Sequence, residues 1–60
     1  MFKLAIKLLK YEIDGRRQDL QWYQAKKKPE MFDTEAIEQL KNEINELNEA
    51  VRVLENQDGQ

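Results

Sequence analysis

The side chains able to do chemistry here are carboxylates and amines, because the chain holds no histidine and no cysteine. Glu43, Glu46 and Glu49 recur every three residues, a repeat that invites comparison with a carboxylate metal site. Helical di-metal centres, however, combine inward-facing glutamates with a Glu-x-x-His motif, and the histidine is missing. These glutamates also flank or oppose the apolar stripe of their own segment, so they read as a solvated acidic face. The usual general bases and nucleophiles are lacking as well, and zinc lacks its customary ligands. Gly15 and Gly59 stand alone, with no phosphate-cradling loop around them. The expectation is a protein that is not an enzyme, uses no cofactor, and has no catalytic, cofactor-binding or metal-binding residue.

The amines make a second pattern. Lys3, Lys10 and Arg17 recur every seven residues along one helix edge, with Lys7 and Arg16 nearby. A basic edge flanked by aromatic residues can track a nucleic-acid backbone, and a dimer would double it. Lys3, Lys7, Lys10 and Arg17 are therefore the candidate nucleic-acid contacts. A layout of this length and kind would be similar to plasmid copy-number regulators of the Rop type, hairpins that dimerise and bind paired RNA loops. No motif supports the likeness, and the isoelectric point near 5.0 favours lysines that neutralise an acidic partner helix. Residues 1–11 also fit a basic helix lying in a membrane surface, a second alternative. No run reaches the ~20 apolar residues of a membrane span. Lys3, Lys7 and Lys10 interrupt the first apolar stretch, and no small-residue cleavage site follows it. An unprocessed, cytoplasmic protein is expected.

The elements that position these groups are legible from apolar spacing. Ile37, Leu40, Ile44, Leu47, Val51 and Leu54 alternate three and four residues apart, an unbroken heptad stripe on one amphipathic helix. Ile or Val at the first core position with Leu at the second suits two-stranded packing. Asp33 fits an N-cap for this helix, with Phe32 and Ile37 as the hydrophobic staple around it. Phe2, Ile6, Leu9, Ile13, Arg16, Leu20 and Tyr23 carry the same spacing through the first half, with Arg16 the one polar intruder. Gly15 costs a helix interior about 1 kcal/mol relative to Ala, and Asp14-Gly15 is also a turn signal. Because Ile13 and Leu20 keep one heptad phase across Gly15, a single helix is expected. Pro29, after Lys26-Lys27-Lys28, ends it. Helix 1 should span about residues 3–27, the loop 28–33 and helix 2 about 34–56, with 57–60 a frayed tail.

A short connection makes consecutive helices antiparallel neighbours. Charge agrees: residues 1–32 hold eight Lys/Arg against four Asp/Glu, and residues 33–60 hold two against eight. In the resulting register Leu9 is level with Val51, Ile13 with Leu47, and Arg16 with Ile44. Arg16 should snorkel and pair with Glu43 or Glu46. The hairpin core is then Ile6, Leu9, Ile13, Leu20 and Tyr23 against Ile37, Leu40, Ile44, Leu47, Val51 and Leu54.

Sixty residues make one domain at most, and a domain this small is marginal alone. Without cysteine there is no disulfide to staple it, which also excludes a disulfide-based secreted scaffold. Helix 1 carries further apolar residues, Leu4, Leu8, Tyr11 and Trp22, off its heptad stripe. A helix apolar on two faces is buried on two faces. The expected fold is thus all-α: an antiparallel two-helix hairpin over residues 1–60, dimerised through Leu4, Leu8, Tyr11 and Trp22 into a four-helix bundle. A different protein or a membrane surface are the other occupants considered for that face.

Glu43-Ile44-Asn45-Glu46-Leu47-Asn48-Glu49-Ala50-Val51-Arg52-Val53-Leu54-Glu55, within residues 36–56, resembles the C-terminal half of small helical proteins of bacteriophages and prophages of Gram-positive bacteria. Ala5-Ile6-Lys7-Leu8-Leu9 is similar to the opening of those proteins. The resemblance implies a coiled-coil-like hairpin in the host-cell cytoplasm that acts by protein–protein binding, with inhibition of a host enzyme or defence system a recurrent role. The expected contact surfaces are the acidic outer face of helix 2 and the aromatic end around Trp22.

Overall fold

A computed structural model describes residues 2–58, with side chains to residue 57. It contains two helices, α1 (Lys3–Gln24) and α2 (Met31–Asp58), and no strand among the described residues. They pack against each other along their length as an antiparallel hairpin measuring 47 × 14 × 11 Å. The chain is therefore all-α. α1 runs without interruption through Gly15, and no described glycine has a positive φ. The common heptad phase on either side of Gly15 overrides its local preference for a turn.

The core is narrow. Ile13, Ile44 and Val51 are buried, and Ile6, Leu9, Leu20 and Leu47 pack against them half-buried. Tyr23, Ile37, Leu40 and Leu54, also on the two stripes, are half-buried. Two helices enclose only the line where they touch, so residues at the edges of each stripe keep one side in solvent.

The connection differs from the expected one at both ends. α1 stops at Gln24 rather than near residue 27, closed by Ala25 N–H donating to Gln21 O at 3.0 Å and Lys26 N–H to Tyr23 O at 3.3 Å. Lys26 lies past the helix end, and its amine is engaged. It reaches across to Asp33 Oδ1 at 3.0 Å and lies 4.6 Å from the Trp22 ring centre. α2 then starts two residues before the expected cap. Thr34 N–H donates to Glu30 O at 3.1 Å, which makes Glu30 the N-cap and Asp33 the third helical residue. Asp33 is not the cap. Its carboxylate instead reaches back to accept from Glu30 N–H at 3.0 Å, the return half of a capping box. Phe32 consequently lies in the first turn and is exposed, not stapled ahead of the helix. At the far end α2 includes residues 57 and 58, assigned above to the tail; the remainder of that tail lies outside the described residues.

Candidate interaction surface

The hairpin register brings together groups 45, 27 and 7 residues apart. Lys10 Nζ lies 3.2 Å from Glu55 Oε2, Arg16 Nε 3.4 Å from Glu43 Oε1, and Lys26 Nζ 3.0 Å from Asp33 Oδ1. Arg16 stands half-buried in the core stripe and turns outward between two carboxylates, Glu43 across the hairpin and Glu12 on its own helix, the latter at 2.6 Å. The hydrogen bond to Glu12 raises the Arg16 guanidinium above its usual range. Partial desolvation opposes that rise, and Glu43 reinforces it. Asp33 is held below the usual carboxylate range, first by the Glu30 amide and then by Lys26, against the opposing effect of its burial.

The three periodic glutamates do not converge. Glu43 turns to Arg16, Glu49 pairs with Arg52 at 2.6 Å, and Glu46 faces solvent. Among the described residues no three Asp or Glu gather in a way that would hold a metal ion. With Glu35 and Glu38, Glu46 and Glu49 form an exposed acidic strip along α2. Lys3, Lys7 and Lys10 line one shallow groove with Ile6, Tyr11 and Glu55, while Arg17 lies outside it. Within this groove Lys10 already shares its charge with Glu55. No described helix is long and apolar enough to cross a membrane.

The apolar residues assigned to an interface all face solvent: Leu4 is 69% exposed, Leu8 58%, Tyr11 77% and Trp22 61%. At 3.6 residues per turn, Leu4, Tyr11 and Trp22 lie about half a turn from Ile13. They therefore stand on the side of α1 away from α2. The aromatic end is ordered by its own contacts. Trp22 and Tyr23 meet edge to face with ring centres 5.0 Å apart and an interplanar angle of 82°, an arrangement their quadrupoles favour. The Lys26 ammonium covers the Trp22 ring at 4.6 Å.

A second uncovered strip was not among the expected interface residues. On α2, Ile44 and Val51 are buried, but Leu40, Leu47 and Leu54 are only half-buried, as are Ala36 and Ala50 beside them. Near the loop this strip joins Trp22, Tyr23 and Phe32 around a groove reaching Leu40. The sequence carried the signal. Alanines at 36 and 50 flank the stripe seven residues either side of Glu43 and widen the apolar face beyond a strict heptad line.

The total exposed area measures how much surface the hairpin leaves uncovered. The chain exposes 5174 Å², whereas a compact monomer of its mass, 7.2 kDa, exposes about 4,100 Å². The excess of about 1,000 Å² is comparable to the roughly 800 Å² that each partner buries in a standard protein–protein interface. Comparison with protein-family models, with curated proteins and with solved structures returns no match to this chain.

Proposed function

We propose that the chain is a non-enzymatic interaction protein, a helical hairpin that pairs with a second copy into a four-helix assembly and uses its remaining surface to bind another protein. One observation carries this reading. Leu4, Leu8, Tyr11 and Trp22 stand exposed on a helix whose opposite face is already packed. Large apolar side chains gathered on one face of so small a chain mark a surface that is covered in use. The excess exposed area is enough for one standard interface. The exposed acidic strip of α2 and the exposed Phe32 beside the loop are then free for a protein with a basic surface. Inhibition of a host enzyme or defence system, in the cytoplasm of a phage-infected bacterium, extends this reading and is supported by the resemblance of residues 5–9 and 36–56 alone.

Light scattering at micromolar concentration tests the first half. A particle of twice 7.2 kDa is expected, and a stable 7.2 kDa monomer overturns the reading. A Rop-like RNA-binding dimer is the second reading, favoured by the clustering of Lys3, Lys7 and Lys10 around one groove.

A further inference from the structure

The outward side of α1 carries a second heptad line. Leu4, Leu8, Tyr11, Gly15, Gln18 and Trp22 alternate four and three residues apart, the spacing of a helix-packing stripe. Gly15 sits at its middle, and nothing within the hairpin calls for a glycine there. Its φ is not positive. A Cβ built on it would meet nothing within 4 Å. Mid-helix, the residue costs about 1 kcal/mol relative to alanine. The missing Cβ lets another backbone come close, and within this chain none does.

Resting on the self-association reading above, we infer that Gly15 is the contact point of a two-fold symmetric pairing of α1 with α1 of a second copy, the two helices running antiparallel. A two-fold axis through that point sets Leu8 of the stripe against Trp22 of the other copy, a reciprocal contact of the kind an isologous interface requires. Leu8 lies seven residues before Gly15 and Trp22 seven after it, Tyr11 and Asp19 lie four before and four after, and Glu12 and Gln18 three before and three after. Leu8 of each copy therefore meets Trp22 of the other, and the Tyr11 hydroxyl is level with an Asp19 carboxylate to which it can donate. Glu12, beside the stripe, enters the contact already neutralised by Arg16 at 2.6 Å. The occupant is a second copy because the equal spacing of Leu8 and Trp22 about Gly15 sets apolar against apolar when the stripe meets itself, and the excess exposed area is enough for one standard half-interface.

The absence of cysteine makes the geometry directly readable. Gly15→Cys places one thiol on the symmetry axis, where the two Cα atoms fall within the roughly 7 Å that a disulfide spans. Val53→Cys, on the outer side of α2 and 45% exposed, is the control. Under mild oxidation the Gly15→Cys protein is expected to become a covalent dimer at least tenfold faster than the Val53→Cys protein. Gly15→Gln should raise the helicity of the dilute chain and weaken the dimer at least tenfold by sedimentation. If wild type dimerises but Gly15→Cys crosslinks no faster than the control, or Gly15→Gln dimerises as well as wild type, the Gly15 contact is wrong and self-association stands. If wild type is monomeric throughout, or captures only a different protein on this face, both fall.

Discussion

The Lys26 ammonium and the Asp33 carboxylate, 3.0 Å apart, join the chain just past the end of α1 to the first turn of α2 across the loop that reverses it. The other carboxylate oxygen accepts from the Glu30 amide, so one buried side chain both caps the start of α2 and ties it to the chain leaving α1. Its ionised form is favoured in the folded state, and its carboxyl titrates below the ordinary value of 3.8. The stabilisation is therefore complete above pH 3.8 and is lost as pH falls through the lower folded value. Thermal melts followed by circular dichroism should show Asp33→Ala with a lower Tm than wild type at pH 7, and the gap should narrow on acidification. A gap that persists undiminished to pH 2 would contradict the assignment.

Arg16 occupies a core position of α1 that every heptad neighbour fills with an apolar residue or tyrosine. It reaches out between Glu12 and Glu43, an exposed arrangement of the kind worth little in water. Arg16→Leu should raise the Tm, because an added apolar contact outweighs two solvent-screened pairs, and should reduce the salt dependence of the melt. A lower Tm would show that the arginine specifies the pairing more strongly than it costs.

Burial separates folding from association. Ile44→Ala removes a buried core side chain and should destabilise the hairpin by about 2–5 kcal/mol. Leu8→Ala removes one that faces solvent within the chain and should change the unfolding of dilute protein by no more than about 0.5 kcal/mol. The same Leu8 change should weaken self-association severalfold. Chemical denaturation at two protein concentrations distinguishes the two effects.

Reversing Lys3, Lys10 and Arg17 to Glu tests the basic edge. If protein binding through α2 and the aromatic end is the function, target binding survives the triple reversal. An RNA shift assay on wild type should then show only weak retention that salt abolishes. Tight RNA binding that persists at physiological salt and is lost in the triple variant would move the functional reading to the Rop-like alternative.

The heptad spacing was enough to foresee two helices packed against each other and the turn of Arg16 towards Glu43, because each follows from periodicity and a short connection. The loop was less legible. Asp33 is an equally good residue at the cap and at the third helical position, and only the amide it accepts from distinguishes the two. Lys26 looked like a helix C-terminus because a cation suits the dipole there. Its amine instead meets the Asp33 carboxylate and the Trp22 ring, contacts that depend on how the loop folds and that the dipole argument does not show. The half-buried Leu40, Leu47 and Leu54 were also hidden. A stripe names the residues that face a partner helix but not which of them a single partner is wide enough to cover.

The hairpin is 47 Å long and at most 14 Å across, so its mode of assembly is written in how it tumbles. Pairing side by side along α1 would leave the long axis almost unchanged and thicken the rod, lowering its rotational anisotropy. Joining through the loop end would nearly double the length and raise the anisotropy. Nuclear spin relaxation or small-angle scattering can therefore tell a lateral dimer from an end-to-end one without resolving a single side chain.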